Sequence, residues 1–260
     1  MELTQSDEEY TIEEQDELLM HTMNTLPEEC QKFWKKRYDL FSKFDSGIYM
    51  TSELWFSVTP EPVAKFTAQL VKELLPKARQ IVDVCCGGGG NTIQFGTYFE
   101  IVGGIDIKPI NIQCTQHNAM IYDIKNIWTV VGDWNKLSQD GRLDWKPNDL
   151  AIDFMFCSPP WGGTGYNKTE DGLDLLLLKP FAVDKLIKSM LQYCNNIGLF
   201  LPRSSNLTQL RSITSQILGP QAKCRVVYMY YRNHCIGMIA LFGSDLTEKY
   251  IIYSDDVLEN

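Results

Sequence analysis

The apolar run Ile152-Asp153-Phe154-Met155-Phe156-Cys157 stops at Ser158-Pro159-Pro160-Trp161-Gly162-Gly163, and this junction constrains the chain more than any other. The run reads as a buried strand. Two prolines directly after it fix φ near −65° and restrain their predecessors, so a polar residue, two carbonyls and an indole are held at set positions on a stiff platform. Such a platform suits a flat ring that carries an amine. An earlier run, Ile81-Val82-Asp83-Val84-Cys85-Cys86, passes into Gly87-Gly88-Gly89-Gly90-Asn91, a second strand whose glycine turn opens a helix. The pair implies a nucleotide-like cofactor beside a planar acceptor.

Strands are predicted at about 80–85, 101–105, 127–131, 152–156, 197–201, 223–231 and 235–241, with helical stretches at about 91–98, 109–122, 181–194 and 206–218. This alternation predicts an α/β fold with a doubly wound, mostly parallel, seven-stranded sheet, whose ligands bind beyond the carboxyl ends of the strands. About three residues, Arg232-Asn233-His234, separate the last two strands, which should form an antiparallel hairpin at one edge. Ahead of the core, residues 30–41 read as one short helix with Phe33, Arg37 and Leu40 or Phe41 on a face, broken by Asp45-Ser46-Gly47. Thr59-Pro60-Glu61 opens another helix, with Thr59 as N-cap and Pro60 at its first position, running to Leu75.

At 260 residues and 44% hydrophobic content the chain can bury one large core. No apolar run approaches the roughly 18–20 residues of a membrane span, and the N-terminus lacks the pattern of a signal peptide, so a soluble intracellular protein is expected. The eight cysteines include no C-x-x-C pair, which predicts reduced thiols and no metal site. The net charge of −9 is uneven: residues 1–30 hold ten acids and no Lys or Arg, leaving the other 230 residues at +1. Composition therefore predicts an acidic, mobile or partly helical tail over 1–29, a helical extension over 30–76, a core over 77–245 and a C-terminal tail over 246–260. A near-neutral body does not fit a protein that grips a long duplex, but is compatible with one nucleotide or a short RNA end.

Gly87 and Asp106 are 19 residues apart, close to the roughly 20 expected between a phosphate-binding turn and the acid that takes ribose hydroxyls. Nicotinamide cofactors and S-adenosylmethionine both use this spacing. Two features favour the methyl donor. Thr92 stands where a dinucleotide fingerprint needs its third glycine, and Asp83 would attract a cationic amino-acid end but repel a pyrophosphate.

The form [N/D/S]-P-P-[Y/F/W] after strand four resembles the active-site motif of methyltransferases that act on exocyclic amines of nucleobases. The strings KKRYDLFSKFDSGIYM (35–50), ELWFSVTPE (53–61), VDVCCGGGGNTIQF (82–95), SPPWGG (158–163) and FLPRSSNLTQL (200–210) resemble the catalytic domain of the trimethylguanosine synthase family, RNA cap guanine-N2 methyltransferases. The resemblance covers about residues 30–245. It implies a class I S-adenosylmethionine-dependent methyltransferase that methylates the 2-amino group of a 7-methylguanosine cap twice, giving a 2,2,7-trimethylguanosine cap and S-adenosylhomocysteine. The implied substrates are capped small nuclear and nucleolar RNAs, with their ribonucleoprotein core proteins as further partners, in the nucleus and nucleolus and without a membrane role. The acidic tail and Trp134 after Asp133 depart from the pattern.

By the same resemblance, Asp83, Gly87 and Asn91 would hold the amino-acid part of the donor, Asp106 its ribose and Asp133 its adenine amine, with Phe44 and Thr59 enclosing it. Trp161 would stack on the 7-methylguanine, Ser158 and Pro159 would face the acceptor nitrogen, and Lys35 and Arg203 would meet the cap phosphates. Ser158 is no strong base, so proton loss to water is expected and no general base is assigned. Two rival readings stay open: an N2-guanine or N6-adenine methyltransferase acting within RNA or DNA, and a cap-binding module without activity.

Overall fold

The computed structural model describes residues 18–161, 168–169 and 172–249. Nine strands are found among them: β1 Gln80–Val84, β2 Ile101–Asp106, β3 Ile127–Val131, β4 Phe154–Cys157, β5 Lys168–Thr169, β6 Gly172–Leu173, β7 Ile197–Leu201, β8 Cys224–Tyr231 and β9 His234–Phe242. Seven form one sheet in the order β3-β2-β1-β4-β7-β9-β8, and β5 pairs with β6 alone. The pairs from β3 to β7 are parallel, whereas β9 runs antiparallel to both β7 and β8. The expected antiparallel hairpin is present at one edge of the sheet. β9 is inserted into the sheet, and β8 alone is the edge. Its turn has only two central residues, Arg232 and Asn233, both at positive φ, the backbone that matches the twist of two-residue hairpins.

Helices cover both faces: α1 Glu28–Trp34, α2 Arg37–Leu40, α3 Leu54–Ser57, α4 Glu61–Leu74, α5 Gly90–Gly96, α6 Pro109–Ile121, α7 Trp134–Leu137, α8 Val183–Met190, α9 Leu207–Leu218 and α10 Ser244–Thr247. Alternate residues of the buried strands feed separate cores, as a sheet covered on two sides requires. Val82, Val84, Met155, Cys157, Leu199 and Leu201 meet Leu186, Ile187 and Met190 of α8 and Leu210 and Ile213 of α9. Ile81, Phe154, Phe156 and Phe200 face the other way, against Leu70, Val71 and Leu74 of α4 and Phe95 of α5.

Residues 30–41 do not form one helix. The chain turns at Lys35-Lys36 because Trp34 stacks on Trp55 at 5.7 Å, while Leu40 and Phe41 are buried in the same cluster from a second, separately aimed helix. Arg37 does not complete an apolar stripe either. Its guanidinium lies over the rings of Trp34 and Tyr38 at 4.8 and 4.2 Å. Thr59 is not an N-cap: α4 starts at Glu61 after Pro60, and the Thr59 hydroxyl instead accepts from Asn91 Nδ2 at 3.1 Å. Pro62 in the first turn has no N–H to cap.

Both expected tails reach into described structure. Leu26 and Cys30 are buried with Trp55 and Ile48, and Met50 N–H donates to Leu19 O, so residues 19–30 pack against the fold. At the other end Leu246 is fully buried among the residues of the α4 face, and Lys249 Nζ donates to Leu74 O. Residues 1–17 and 250–260, most of the two tails, lie outside the described residues. No helix among the described residues is long and apolar enough to cross a membrane.

Burial makes Leu26 the anchor of residues 19–30, so Leu26→Ala should cost about 2–5 kcal/mol. Urea unfolding of the full chain should show a lower midpoint with the slope unchanged; an unaltered midpoint would detach this segment from the fold.

Candidate active site

The chain crosses from β1 through β2 to β3 on one side of the sheet, then returns to β4 on the other side of β1. Strand order reverses between β1 and β4, which is where such sheets open a crevice for ligands. Val84 is the register partner of Cys157, so Cys85 and Ser158 leave the sheet side by side. The glycine turn and the proline platform therefore share one crevice.

The turn itself needs unusual backbone. Cys85, Gly87 and Gly89 all have positive φ, which exposes carbonyls and N–H groups that no regular element pairs. Side chains from two other elements satisfy them. Asp106, the last residue of β2, accepts from Gly87 N–H through Oδ2 at 2.9 Å, and through Oδ1 from Lys108 N–H at 3.0 Å and Asn111 Nδ2 at 3.1 Å. Thr115 Oγ1 donates to Gly87 O at 2.7 Å, and Asn118 Nδ2 to Gly88 O at 2.9 Å. Asn111, Thr115 and Asn118 are buried on one face of α6, at i, i+4 and i+7. This polar stripe is the support of the turn, and sequence reasoning missed it. Its signal was available as polar residues at helical spacing immediately after Asp106.

The N-terminal extension closes over the same turn. A Cβ on Gly87 or Gly88 would meet Leu54 at 3.2 and 3.0 Å, and one on Gly90 would meet Val58 and the Thr59 carbonyl. Asn118 also exchanges bonds with Tyr49, accepting from its N–H at 2.8 Å and donating to its carbonyl at 2.9 Å. Lys108 Nζ and Glu53 pair at 2.8 Å beside it. Phe44, expected to enclose the donor, is buried against Trp34, Tyr38 and Trp55, whose chain neighbour Leu54 lies over the turn.

Asp83 is fully buried beneath the turn. Its Oδ2 accepts from Thr92 Oγ1 at 2.6 Å, while Oδ1 has no partner; Asn91, just across the turn, likewise has an unpaired buried Oδ1. Burial pushes the Asp83 carboxyl up to about 7, the Thr92 hydroxyl opposing and the nearby Asp106 charge adding to it. Burial also raises Asp106, against the three hydrogen bonds that hold its charged form. A buried carboxylate oxygen and a buried amide oxygen without donors are costly unless a ligand supplies them. A cationic amine is the chemistry that fits both. Asp106 already accepts three bonds of about four possible, which leaves room for one ribose hydroxyl rather than a pair.

On the platform, Pro159 is buried and Ser158 half-buried. Trp161 is half-buried too, its Nε1 donating to Phe200 O at 3.2 Å and its ring tilted against Phe200 at 5.5 Å. The indole is thus pinned by its edge and is not a fully buried core side chain. Gly162 and Gly163 lie outside the described residues. Asp133 follows β3 as expected but caps α7, its Oδ1 accepting from Asn135 N–H at 2.9 Å. Arg203, exposed beyond β7, donates to Cys235 O at 3.2 Å. Lys35 is exposed at the end of α1, where no described hydrogen bond or ion pair of its side chain joins it to the platform.

The family of RNA cap guanine-N2 methyltransferases matches residues 78–245. The chain is 46% identical over 215 residues to a trimethylguanosine synthase of Saccharomyces cerevisiae, covering 82% of this chain and 67% of that protein. It is 36% identical over 205 residues to a trimethylguanosine synthase of Schizosaccharomyces pombe, covering 78% and 83%. Among solved structures, the human methyltransferase 10 domain containing protein superposes with a TM-score of 0.55 at 15% identity, covering 82% of this chain and 97% of the other. A METTL16 methyltransferase domain gives 0.57 at 16%, covering 82% and 95%. These two likenesses speak for the fold, which is that of class I methyltransferases. With the crevice, the proline platform and the family match falling on the same segments, the chain belongs to the RNA cap guanine-N2 methyltransferase family.

Proposed function

We propose that this chain binds S-adenosylmethionine under the glycine turn and transfers its methyl group to the N2 amine of a 7-methylguanosine RNA cap, twice, releasing S-adenosylhomocysteine each time. The observation that carries the reading is the pair of unpaired buried acceptors, Asp83 Oδ1 and Asn91 Oδ1, in the crevice onto which Ser158 opens. The trimethylguanosine synthase relatives support a trimethylated cap as the product; small nuclear and nucleolar RNAs are the proposed substrates, with their core proteins as proposed partners, in the nucleus and nucleolus.

When bound, S-adenosylmethionine supplies an already activated methyl group on a cationic sulfur. The chain's own work is alignment, since a guanine amine is a weak nucleophile and the effective concentration gained by holding it in line amounts to roughly 7–11 kcal/mol. The carbonyls of Ser158 and Pro159 are fixed by two consecutive prolines and can accept the amine's two hydrogens, turning its lone pair toward the turn. Trp161 offers an electron-rich face to a ring made cationic by its N7 methyl group. Competing nucleophiles are suppressed. Burial, reinforced by the charges of Asp106 and Asp83, pushes the Cys86 thiol well up, and burial together with its Cys85 contact does the same to Cys157, so both stay protonated near neutral pH. Ser158 carries no basic group, and the proton leaves to water after transfer.

Mass spectrometry of 7-methylguanosine diphosphate incubated with protein and S-adenosylmethionine should show products with one and with two added methyl groups; no addition would remove the assignment. Asp83→Ala and Asp106→Ala should each weaken S-adenosylhomocysteine binding by about 1.5–3 kcal/mol in calorimetric titration. The pH dependence has a defined sign. A carboxyl held near 7 in the free protein must lose its proton to pair with an ammonium, so ligand affinity should fall about tenfold per pH unit below 7, with proton release detectable between buffers of different ionisation heat. In the free protein the same raised pKa makes stability drop as pH climbs from about 4 to about 7, and Asp83→Asn should flatten most of that drop.

Substrate choice tests Trp161. The cation–π contribution of roughly 0.5–2 kcal/mol is lost when N7 carries no methyl group, so guanosine caps should be poor substrates. Trp161→Ala should abolish turnover while donor affinity and melting temperature change little, and Trp161→Phe should keep a part. Equal loss of melting temperature and donor binding in Trp161→Ala would make the indole a packing residue.

A further inference from the structure

Thr92 occupies the place of a dinucleotide fingerprint's third glycine, and neither the family match nor the methyl-transfer chemistry gives it a part. In dinucleotide folds that glycine lets the helix pack closely on the first strand. In this chain the same contact is polar. Thr92, in the first turn of α5, is fully buried, as is Asp83 on β1. Its Oγ1 donates to Asp83 Oδ2 at 2.6 Å, and its backbone N–H also bonds the carboxyl group. A glycine could supply the second of these bonds but not the first.

The distance suits a charged acceptor, since hydroxyl-to-carboxylate bonds run about 2.5–2.7 Å. Thr92 is also the one residue whose contacts favour a negative charge there. Burial opposes the charge, and so does Asp106 on β2. Cys86 in the turn and Cys157 at the end of β4 feel the charge of Asp83 as protonated thiols and add no positive charge of their own. Neither α4 nor α6 brings a charge that acts on the group, and among the described residues no cation does. Oδ2 is thus committed to Thr92, while Oδ1 is buried without a partner.

We infer that Thr92 is a positioning residue of the donor site: its hydroxyl takes Asp83 Oδ2, holds the group as a carboxylate and leaves Oδ1 for the ammonium of S-adenosylmethionine. The inference rests on the donor reading of the crevice and adds to it the residue that keeps Asp83 ready for a cation. It also gives a reason for the departure from the glycine fingerprint. A strand carboxylate that must meet an ammonium needs a side-chain donor behind it, whereas a turn that binds a pyrophosphate needs no such carboxylate.

The test is calorimetric titration of S-adenosylhomocysteine into the full chain at about pH 7 and about pH 9, each variant compared with wild type at the same pH so that the ligand's own amine cancels. Thr92→Val keeps the shape and removes the hydroxyl. Losing a hydrogen bond to a charged group moves a carboxyl by about one to two pH units, upward here. The variant should therefore bind about five- to fiftyfold more weakly than wild type at the lower pH and within about twofold at the higher. Thr92→Ser, which keeps the donor, should follow wild type at both. In an Asp83→Asn background, Thr92→Val should add no pH-dependent deficit. Thr92→Ala, which also lacks the hydroxyl, takes the place of the valine variant if melting shows the latter unfolded. A deficit of equal size at both pH values makes Thr92 a packing residue, and no deficit makes its hydroxyl idle; either overturns the inference. A wild type that does not bind S-adenosylhomocysteine refutes the donor reading itself, a different result from wild-type binding beside an unaltered Thr92→Val profile, which refutes the part of Thr92 alone.

Discussion

The glycine turn between β1 and α5 is held in a conformation it could not keep by itself. Positive φ at Cys85, Gly87 and Gly89 turns the Gly87 N–H and the Gly87 and Gly88 carbonyls away from the sheet ladder, and Leu54 of α3 lies over Gly87 and Gly88. Asp106, Thr115 and Asn118 supply the missing bonds from β2 and α6. Everything functional follows from that support. The turn can approach a ligand closely because it has no side chains, and it keeps its shape because three buried polar residues pay its desolvation cost.

The N-terminal extension is part of the same device. Asn118 bonds at once to Gly88 and to both backbone groups of Tyr49, so one amide couples the turn to the segment that covers it. Leu54 presses on Gly87 and Gly88, and Thr59 holds Asn91. Residues far apart in sequence thereby share a wall of the crevice, and the extension is a cover of the glycine turn rather than an appendage to the core. The Glu53–Lys108 pair, about half-exposed, adds little energy and more register.

The electrostatics of the crevice are those of a site prepared for a cation. Burial raises both carboxyls, Asp83 and Asp106; the charge of Asp106 adds to the rise at Asp83, and that of Glu53 adds to the rise at Asp106. A positive ligand relieves this strain by restoring the charged forms, whereas an anionic pyrophosphate would add to it. The choice of methyl donor over dinucleotide, argued from a missing third glycine, thus has a physical counterpart in the folded protein.

Much of this was legible in the residues. Buried strands β1, β4 and β7 show as continuous apolar runs, the glycine turn and the double proline mark their carboxyl ends, and the 19-residue spacing from Gly87 to Asp106 becomes a direct 2.9 Å bond. Periodicity could not show that Trp34 would break a helix to stack on Trp55, that the Thr59 hydroxyl would turn to Asn91 rather than cap α4, or that residues 19–30 would pack rather than trail. Local pattern reports which residues seek burial or a turn, because that is set by the chain's own chemistry. Which partner each polar group finds, and which strand lies at the edge, is decided by long-range contacts that form only when the sheet closes, and so by the tertiary structure alone.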